Sequence, residues 1–255
     1  MSAVEHVEMQ PASANKGGSA ITPPGLEYLA QIDQLLIHQQ VELVEVLTGF
    51  HCNNKYAIKN AMGQQIYFAA ENTEMCQRLF CGAERGFLID IIDNGGQVVG
   101  RITREFKCCY GCCWCATTSG TCHMEIVIES PVGTPVGYVR LGRFCCNPVF
   151  YVMNANKEDV FMVTRSCCMC QWFCCTDDLD FNMFPKGADG NWDKASPVGK
   201  VSKQWAGCFK EGLTNANNFS ANFPMDLDVK MKFTMFGLAF LIDFYYFEEK
   251  DNNNQ

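Results

Sequence analysis

The residues with the most chemical potential are thiols. Cys108, Cys109, Cys112, Cys113 and Cys115 crowd into one short stretch, interleaved with Tyr110 and Trp114. Cys167, Cys168, Cys170, Cys174 and Cys175 form a second group around Trp172 and Phe173. The chain of 255 residues holds 17 cysteines in all. The start, Met-Ser-Ala-Val-Glu-His, has neither the basic end nor the apolar run of a secretory leader. An odd, clustered count in that setting argues for a reducing compartment and against a disulfide framework. Three uses of the thiols stay open. Cys109-x-x-Cys112 has the spacing of zinc ligands, although adjacent Cys-Cys pairs chelate poorly. Thiols beside aromatic residues at a membrane surface accept acyl chains, and several chains anchor firmly where one does not. Buried cysteines are simply small apolar side chains.

A second stretch joins oxygen-rich and apolar chemistry. The run from Asn215 to Asp226 leads directly into the most apolar segment of the protein, Phe233 to Phe247. Phe233, Phe236, Phe240 and Phe244 make a stripe at helical spacing. Met235, Leu238, Ala239, Leu241 and Ile242 fill the other side, so the helix is apolar all round and must be buried in protein or in lipid. A span needs about 20 apolar residues, and the uncharged run ends sooner, at Ile242. Asp243 would cost several kcal/mol at membrane depth. Lys230 and Lys232 at one end, with Tyr245 and Tyr246 at the other, would suit the interfaces of a single-pass span. A core helix is the favoured reading and a C-terminal span the alternative.

No catalytic constellation accompanies these features. His6, His38, His51 and His123 are scattered, and there is no nucleophile elbow or Gly-rich phosphate loop. The net charge of −8 argues against a general nucleic-acid binder. Hydrophobic residues make up 48% of the chain, enough for a sizeable core.

The elements that must position these groups are mostly short strands. Residues 1–22 read as a disordered tail, closed by Pro23-Pro24-Gly25. Leu26, Leu29, Ile32, Leu35 and Leu36 recur at helical spacing, which predicts one or two helical turns. From Val41 the pattern turns β-like, first at 41–47. Further runs follow at 55–58, 65–69, 87–92, 97–106, 124–129, 137–141, 149–153, 160–165, 179–184 and 198–205. Turn signals such as Asp93-Asn94-Gly95-Gly96 and Ser130-Pro131-Val132-Gly133 separate them. Such spacing predicts an all-β sandwich or barrel. Pro135-Val136-Gly137-Tyr138-Val139 and Pro197-Val198-Gly199-Lys200-Val201 share a turn-to-strand pattern. A barrel of about a dozen strands encloses more space than its own side chains fill, and one apolar helix would occupy it.

Several long stretches resemble the phospholipid scramblase family. They include Pro23-Pro24-Gly25-Leu26-Glu27-Tyr28-Leu29, Asn53-Asn54-Lys55-Tyr56, Gln65 to Glu71, Gly199 to Trp205 and Phe223 to Lys232. The resemblance runs over 23–248 as one domain, leaving 249–255 as a polar tail. It implies a mainly β, tubby-like fold: a twelve-stranded barrel enclosing a central hydrophobic C-terminal helix. It also implies a lipid translocator rather than a chemical catalyst, with calcium-stimulated, ATP-independent, bidirectional movement of phospholipids. The alternative is an acylated, membrane-tethered module that recognises lipid or protein partners without moving lipid.

The resemblance also assigns sites. The family's calcium loop aligns with Asn215 to Asp226, but its first and third positions are Asn215 and Asn217 here, not aspartates. Phe219, Ala221 and Phe223 offer only backbone carbonyls, and Asp226 is the sole side-chain carboxylate. Affinity falls with ligand charge, so the expected Ca2+ site is millimolar at best, and a polar turn before the helix is the alternative. Cys108, Cys109, Cys112, Cys113 and Cys115 align with a palmitoylated segment. The cysteine clusters therefore place the protein on the cytosolic face of the plasma membrane or another cellular membrane, held by covalent palmitate. Phe233, Phe236, Phe240, Ile242 and Phe244 mark the membrane or barrel-core helix. A single helix carrying Asp243 cannot form a polar lipid track, so direct translocation would need a homo-oligomer. Lys200 and Lys203 lie where some relatives carry a nuclear import signal; two lysines on a solvated strand face are the plainer reading. The short tail lacks the Pro-rich elements that SH3 and WW domains bind.

Overall fold

Alternation of inward apolar and outward polar residues recurs from strand to strand, and closing such strands on themselves removes the exposed edges. A computed structural model shows that closure. It describes residues 22–40, 54–72, 86–106, 123–142, 147–165, 179–187, 189–204 and 218–246. After a short 3-10 helix at Glu27–Gln31, the strands are β1 (Gln34–Gln40), β2 (Lys55–Lys59), β3 (Gln65–Glu71), β4 (Phe87–Asp93), β5 (Val98–Arg104) and β6 (Glu125–Glu129). Then come β7 (Pro135–Leu141), β8 (Val149–Asn154), β9 (Asp159–Arg165), β10 (Leu179–Pro185), β11 (Gly199–Gln204) and β12 (Asn218–Asn222). Helix α1 (Val229–Tyr246) follows. Each strand pairs antiparallel with the next, and β12 pairs with β1 to close the barrel.

The helix occupies the lumen. Every residue from Met231 to Phe244 is buried. Phe240 meets Tyr56 edge-on at 4.9 Å between ring centroids, and Phe244 stacks on Phe87 at 4.2 Å. Phe236 lies edge-on to Tyr67 at 6.1 Å. The barrel thus supplies the apolar surroundings that a helix without a polar face requires. Among the described residues, no helix is long and apolar enough to cross a membrane.

Glycines thin the wall where the helix enters. A Cβ on Gly100 of β5 would come within 2.7 Å of the Glu129 carbonyl oxygen and would strike the Phe233 ring. A Cβ on Gly137 of β7 would strike Thr234. Both glycines face inward, opposite the first turns of α1. In the second copy of the Pro-Val-Gly-x-Val pattern the glycine is crowded by the wall and its neighbours, not by α1. Gly199 of β11, at the same place in the motif, leaves room for Met183 and Phe223.

Most of the expected strands form, with ends shifted by a few residues. Two differences matter. Leu35 and Leu36 do not continue the helical turns; the 3-10 helix stops at Gln31 and both leucines belong to β1. The helical spacing of Leu26 and Leu29 is real, but the chain turns extended at Ile32, after which Leu35 and Ile37 face the core at period two. The run Asn218–Asn222, read as part of an oxygen-rich loop, is a strand. The run expected at 41–47 and the tails at 1–21 and 247–255 lie outside the described residues.

Phe240→Ala is expected to cost about 3–5 kcal/mol in guanidinium unfolding, the usual price of emptying an aromatic site in a packed core. A loss below about 0.5 kcal/mol, typical of exposed sites, would contradict a lumenal helix.

Candidate functional site

Strand alternation divides the connections between two ends of the barrel. Short turns join β2 to β3, β4 to β5, β6 to β7 and β8 to β9 at one end, together with the links from β10 to β11 and from β12 to α1. At the opposite end the connections contain 41–53, 73–85, 107–122, 143–146, 166–178 and 205–217. All 17 cysteines of the sequence fall in these segments. Cys108, Cys109, Cys112, Cys113 and Cys115 therefore lie outside the described residues, as does the second cluster. The strand ends that flank them are described, and every one belongs to the same end of the barrel. Helix α1 runs toward that end as well, since Asp243 and Phe244 meet Tyr56 and Phe87 at the starts of β2 and β4. We call the two ends the turn end and the cysteine end.

Toward the cysteine end the lumen becomes polar. The Tyr56 hydroxyl donates to Oδ2 of Asp243 at 3.0 Å, which gives the one acidic residue of α1 a buried partner. Gln39 Nε2 donates to Asn54 Oδ1 at 3.1 Å, and Asn54 Nδ2 donates to Glu71 Oε2 at 2.8 Å. The Arg104 guanidinium lies 4.9 Å from the Phe87 ring centroid and 6.0 Å from that of Phe244. Arg165 and Lys203, the inward residues near the ends of β9 and β11, are also buried. Lys200 and Lys203 are thus not one solvated face. Lys200 points outward to Asp180 at 3.2 Å, while Lys203 is buried at 8% exposure. The number of positions between them, odd or even, decides this, because strand side chains alternate faces.

At the turn end the helix begins beside a buried ammonium. Lys232 is fully buried. Its Nζ donates to the carbonyl oxygens of Leu29 at 3.1 Å, Ile32 at 2.7 Å and Met225 at 2.7 Å. Burial holds its pKa below the ordinary lysine range, and the negative charges of Asp33 and Asp226 pull it back up.

Among the described residues, the expected calcium donors do not converge. Asn215 and Asn217 lie outside the described residues, in the connection that reaches β12 from the cysteine end. Phe219 and Ala221 are in mid-strand with buried side chains. Their strand is paired on both sides, with β1 and β11, so its carbonyls serve the ladder. The Phe223 amide donates to the Asp33 carbonyl at 2.9 Å, and Asp226 is exposed on the turn beyond. A strand of five residues carries the chain about 14 Å, whereas oxygens around one calcium ion lie within about 5 Å of each other. Among the described residues, the carbonyls of Phe219 and Phe223 are therefore too far apart to share one calcium shell. The alternation of Phe219 and Ala221 with Asn218, Ser220 and Asn222 was the signal for a strand. Its polar outer face disguised it.

Phe233, Phe236, Phe240, Ile242 and Phe244 are brought together as the lumenal face-to-wall packing of α1. Sequence reasoning did not single out Tyr56, Arg104 or Arg165, whose inward positions depend on register.

Comparison with known proteins identifies the family. The scramblase family profile matches residues 13–249. The chain is 47% identical over 261 aligned positions to phospholipid scramblase 1 of Mus musculus, covering 98% of this chain and 75% of that protein. It is 50% identical over 226 positions to phospholipid scramblase 2 of Bos taurus, covering 89% and 72%. It is 39% identical over 254 positions to phospholipid scramblase family member 5 of Homo sapiens, covering 93% and 88%. The chain belongs to the scramblase family. No solved structure matches it significantly.

Tyr56→Phe, which removes the hydroxyl and little volume, is expected to lower unfolding stability by about 1–3 kcal/mol. Denaturant titration of the variant against the wild type measures it, and no change would show that Asp243 is held by other groups.

Proposed function

We propose that this protein is a membrane-associated phospholipid scramblase, which moves phospholipids between leaflets in both directions without ATP. Family membership supports the class. The single structural observation that supports the manner of attachment is that the strand ends flanking the segments that hold all 17 cysteines lie at one end of a closed barrel. In this reading several of these thiols, Cys108, Cys109, Cys112, Cys113 and Cys115 among them, carry palmitate and hold the barrel end-on at the cytosolic face of a membrane. Several acyl chains give durable anchoring, and α1 need not cross the bilayer.

Among the described residues, helix α1 and its aromatic contacts occupy the lumen, which makes it a poor track for a headgroup. The lipid path in this reading therefore runs outside the wall, at the cysteine end or between copies of the chain. The same filled lumen favours a second reading, an acylated module that binds lipid or protein at the membrane and moves nothing.

Reconstitution separates the two. Liposomes bearing the palmitoylated chain and a fluorescent phospholipid are expected to expose inner-leaflet label to a membrane-impermeant quencher faster than protein-free liposomes. Unchanged exposure at a known protein density would favour the binding module. Calcium stimulation, if present, is expected only in the millimolar range, given the weak donor set of this chain.

Attachment is tested separately. Labelling in cells with an alkyne palmitate analogue is expected to give a hydroxylamine-sensitive signal that falls when Cys108, Cys109, Cys112, Cys113 and Cys115 are all changed to serine. Membrane fractionation should fall with it. A chain that carries no thioester label would point to zinc or to inert thiols.

A further inference from the structure

The Lys232 ammonium is held by backbone carbonyl oxygens alone, a donor type that also binds metal cations. Its three protons meet three backbone carbonyl oxygens, those of Leu29, Ile32 and Met225, at 2.7–3.1 Å. Its side chain is fully buried. The Phe223 ring lies 5.4 Å from Nζ. An ammonium has three donors and no acceptor, so this cage satisfies it completely. Rings of carbonyl oxygens are also how proteins replace the hydration shell of a metal ion. Asp33 and Asp226 add negative potential. Three separate segments contribute oxygens: the 3-10 helix through Leu29, the approach to β1 through Ile32, and the turn before α1 through Met225.

We propose that this carbonyl cage is a cation site whose resident cation is the Lys232 ammonium, so that the Asp226 end of the 215–226 segment takes no calcium while Lys232 is in place. The site is monovalent and covalently supplied, and it works in every ionic condition. It clamps the N-terminal segment and the β12–α1 turn onto the head of the lumenal helix. A divalent ion near Asp226 would have to sit close to the ammonium, and like charges oppose that. Lys232→Ala removes the cation and the hydrogen bonds it gives to three carbonyls, of which that of Leu29 keeps the Ile32 amide, near two carboxylates. Hard cations favour oxygen donors of that kind, so the variant acquires a metal-ion site that the wild type lacks.

Two variants of the full chain test this. For Lys232→Ala, thermal unfolding is followed while KCl or CaCl2 is added, with choline chloride matched for ionic strength. The melting temperature is expected to rise with added metal cation and not with choline, and the wild type is expected to show no such difference. A variant that melts identically in all three salts, or a wild type that shifts as much as the variant, overturns the proposal. The second arm does not depend on that variant folding. Calorimetric calcium titration of Asp226→Asn is expected to match the wild type, since in this proposal Asp226 is no metal ligand and acts only through its charge on the ammonium. Loss of calcium binding on that substitution, with wild-type binding present, overturns the proposal. Failure of lipid movement in the reconstituted system would leave both results intact, because neither readout uses transport.

Discussion

A helix apolar on every face cannot meet water, and the rest of this structure follows from enclosing it. Phe233, Phe236, Phe240 and Phe244 lie on one side of α1, with Leu238, Leu241 and Ile242 among the residues covering the others, and all are buried. Only a closed wall can cover a cylinder from all directions. The closed twelve-stranded sheet does so, and it also removes the edges that an open sheet would expose. The fit is mutual. Gly100 and Gly137 withhold side chains where Phe233 and Thr234 come close, while Tyr56, Tyr67 and Phe87 supply rings where the helix leaves space.

Two polar contacts set how the helix sits along the barrel axis. Lys232 at its head and Asp243 near its tail would each be costly in an apolar lumen without a partner. The first is held by three carbonyls and the second accepts from Tyr56. Apolar packing is non-directional, and sliding a smooth apolar rod costs little until side chains clash. The directional hydrogen bonds at both ends provide the register that packing lacks. They also make sense of the charges that most complicated a membrane-spanning reading of the segment: each has a place in the barrel.

The same closure gives the molecule two different ends. An up-and-down barrel returns every second connection to the same end, so the strand ends that flank the cysteine-bearing segments all lie at one end. Compact turns such as Asp93–Gln97, where Asp93 Oδ1 accepts from the amides of Gly95 and Gln97, occupy the other end. The lumen is occupied by its own helix, and this favours the proposed lipid path outside the wall.

The sequence by itself determined a good deal. Period-two runs in β2 through β11 announced most of the wall, the unbroken apolar character of 233–242 announced a buried helix, and the long matching stretches announced the family. These are local properties, carried by neighbouring residues. What only the tertiary structure decided was every question of partnership. Sequence could say that α1 must be surrounded, not whether by protein or by lipid. It missed all of β1 and all of β12, which pair with each other to close the barrel and bring His38 to Asn218 across 180 positions. Both strands carry ambiguous local signals: leucines at helical spacing in one, asparagine and serine on the outer face of the other. Their extended form is stabilised by hydrogen bonds to strands remote in sequence. For the same reason the thiol clusters were visible from the start, whereas their common end, the separation of the calcium-loop residues, and the cage around Lys232 became visible only when distant segments were brought together.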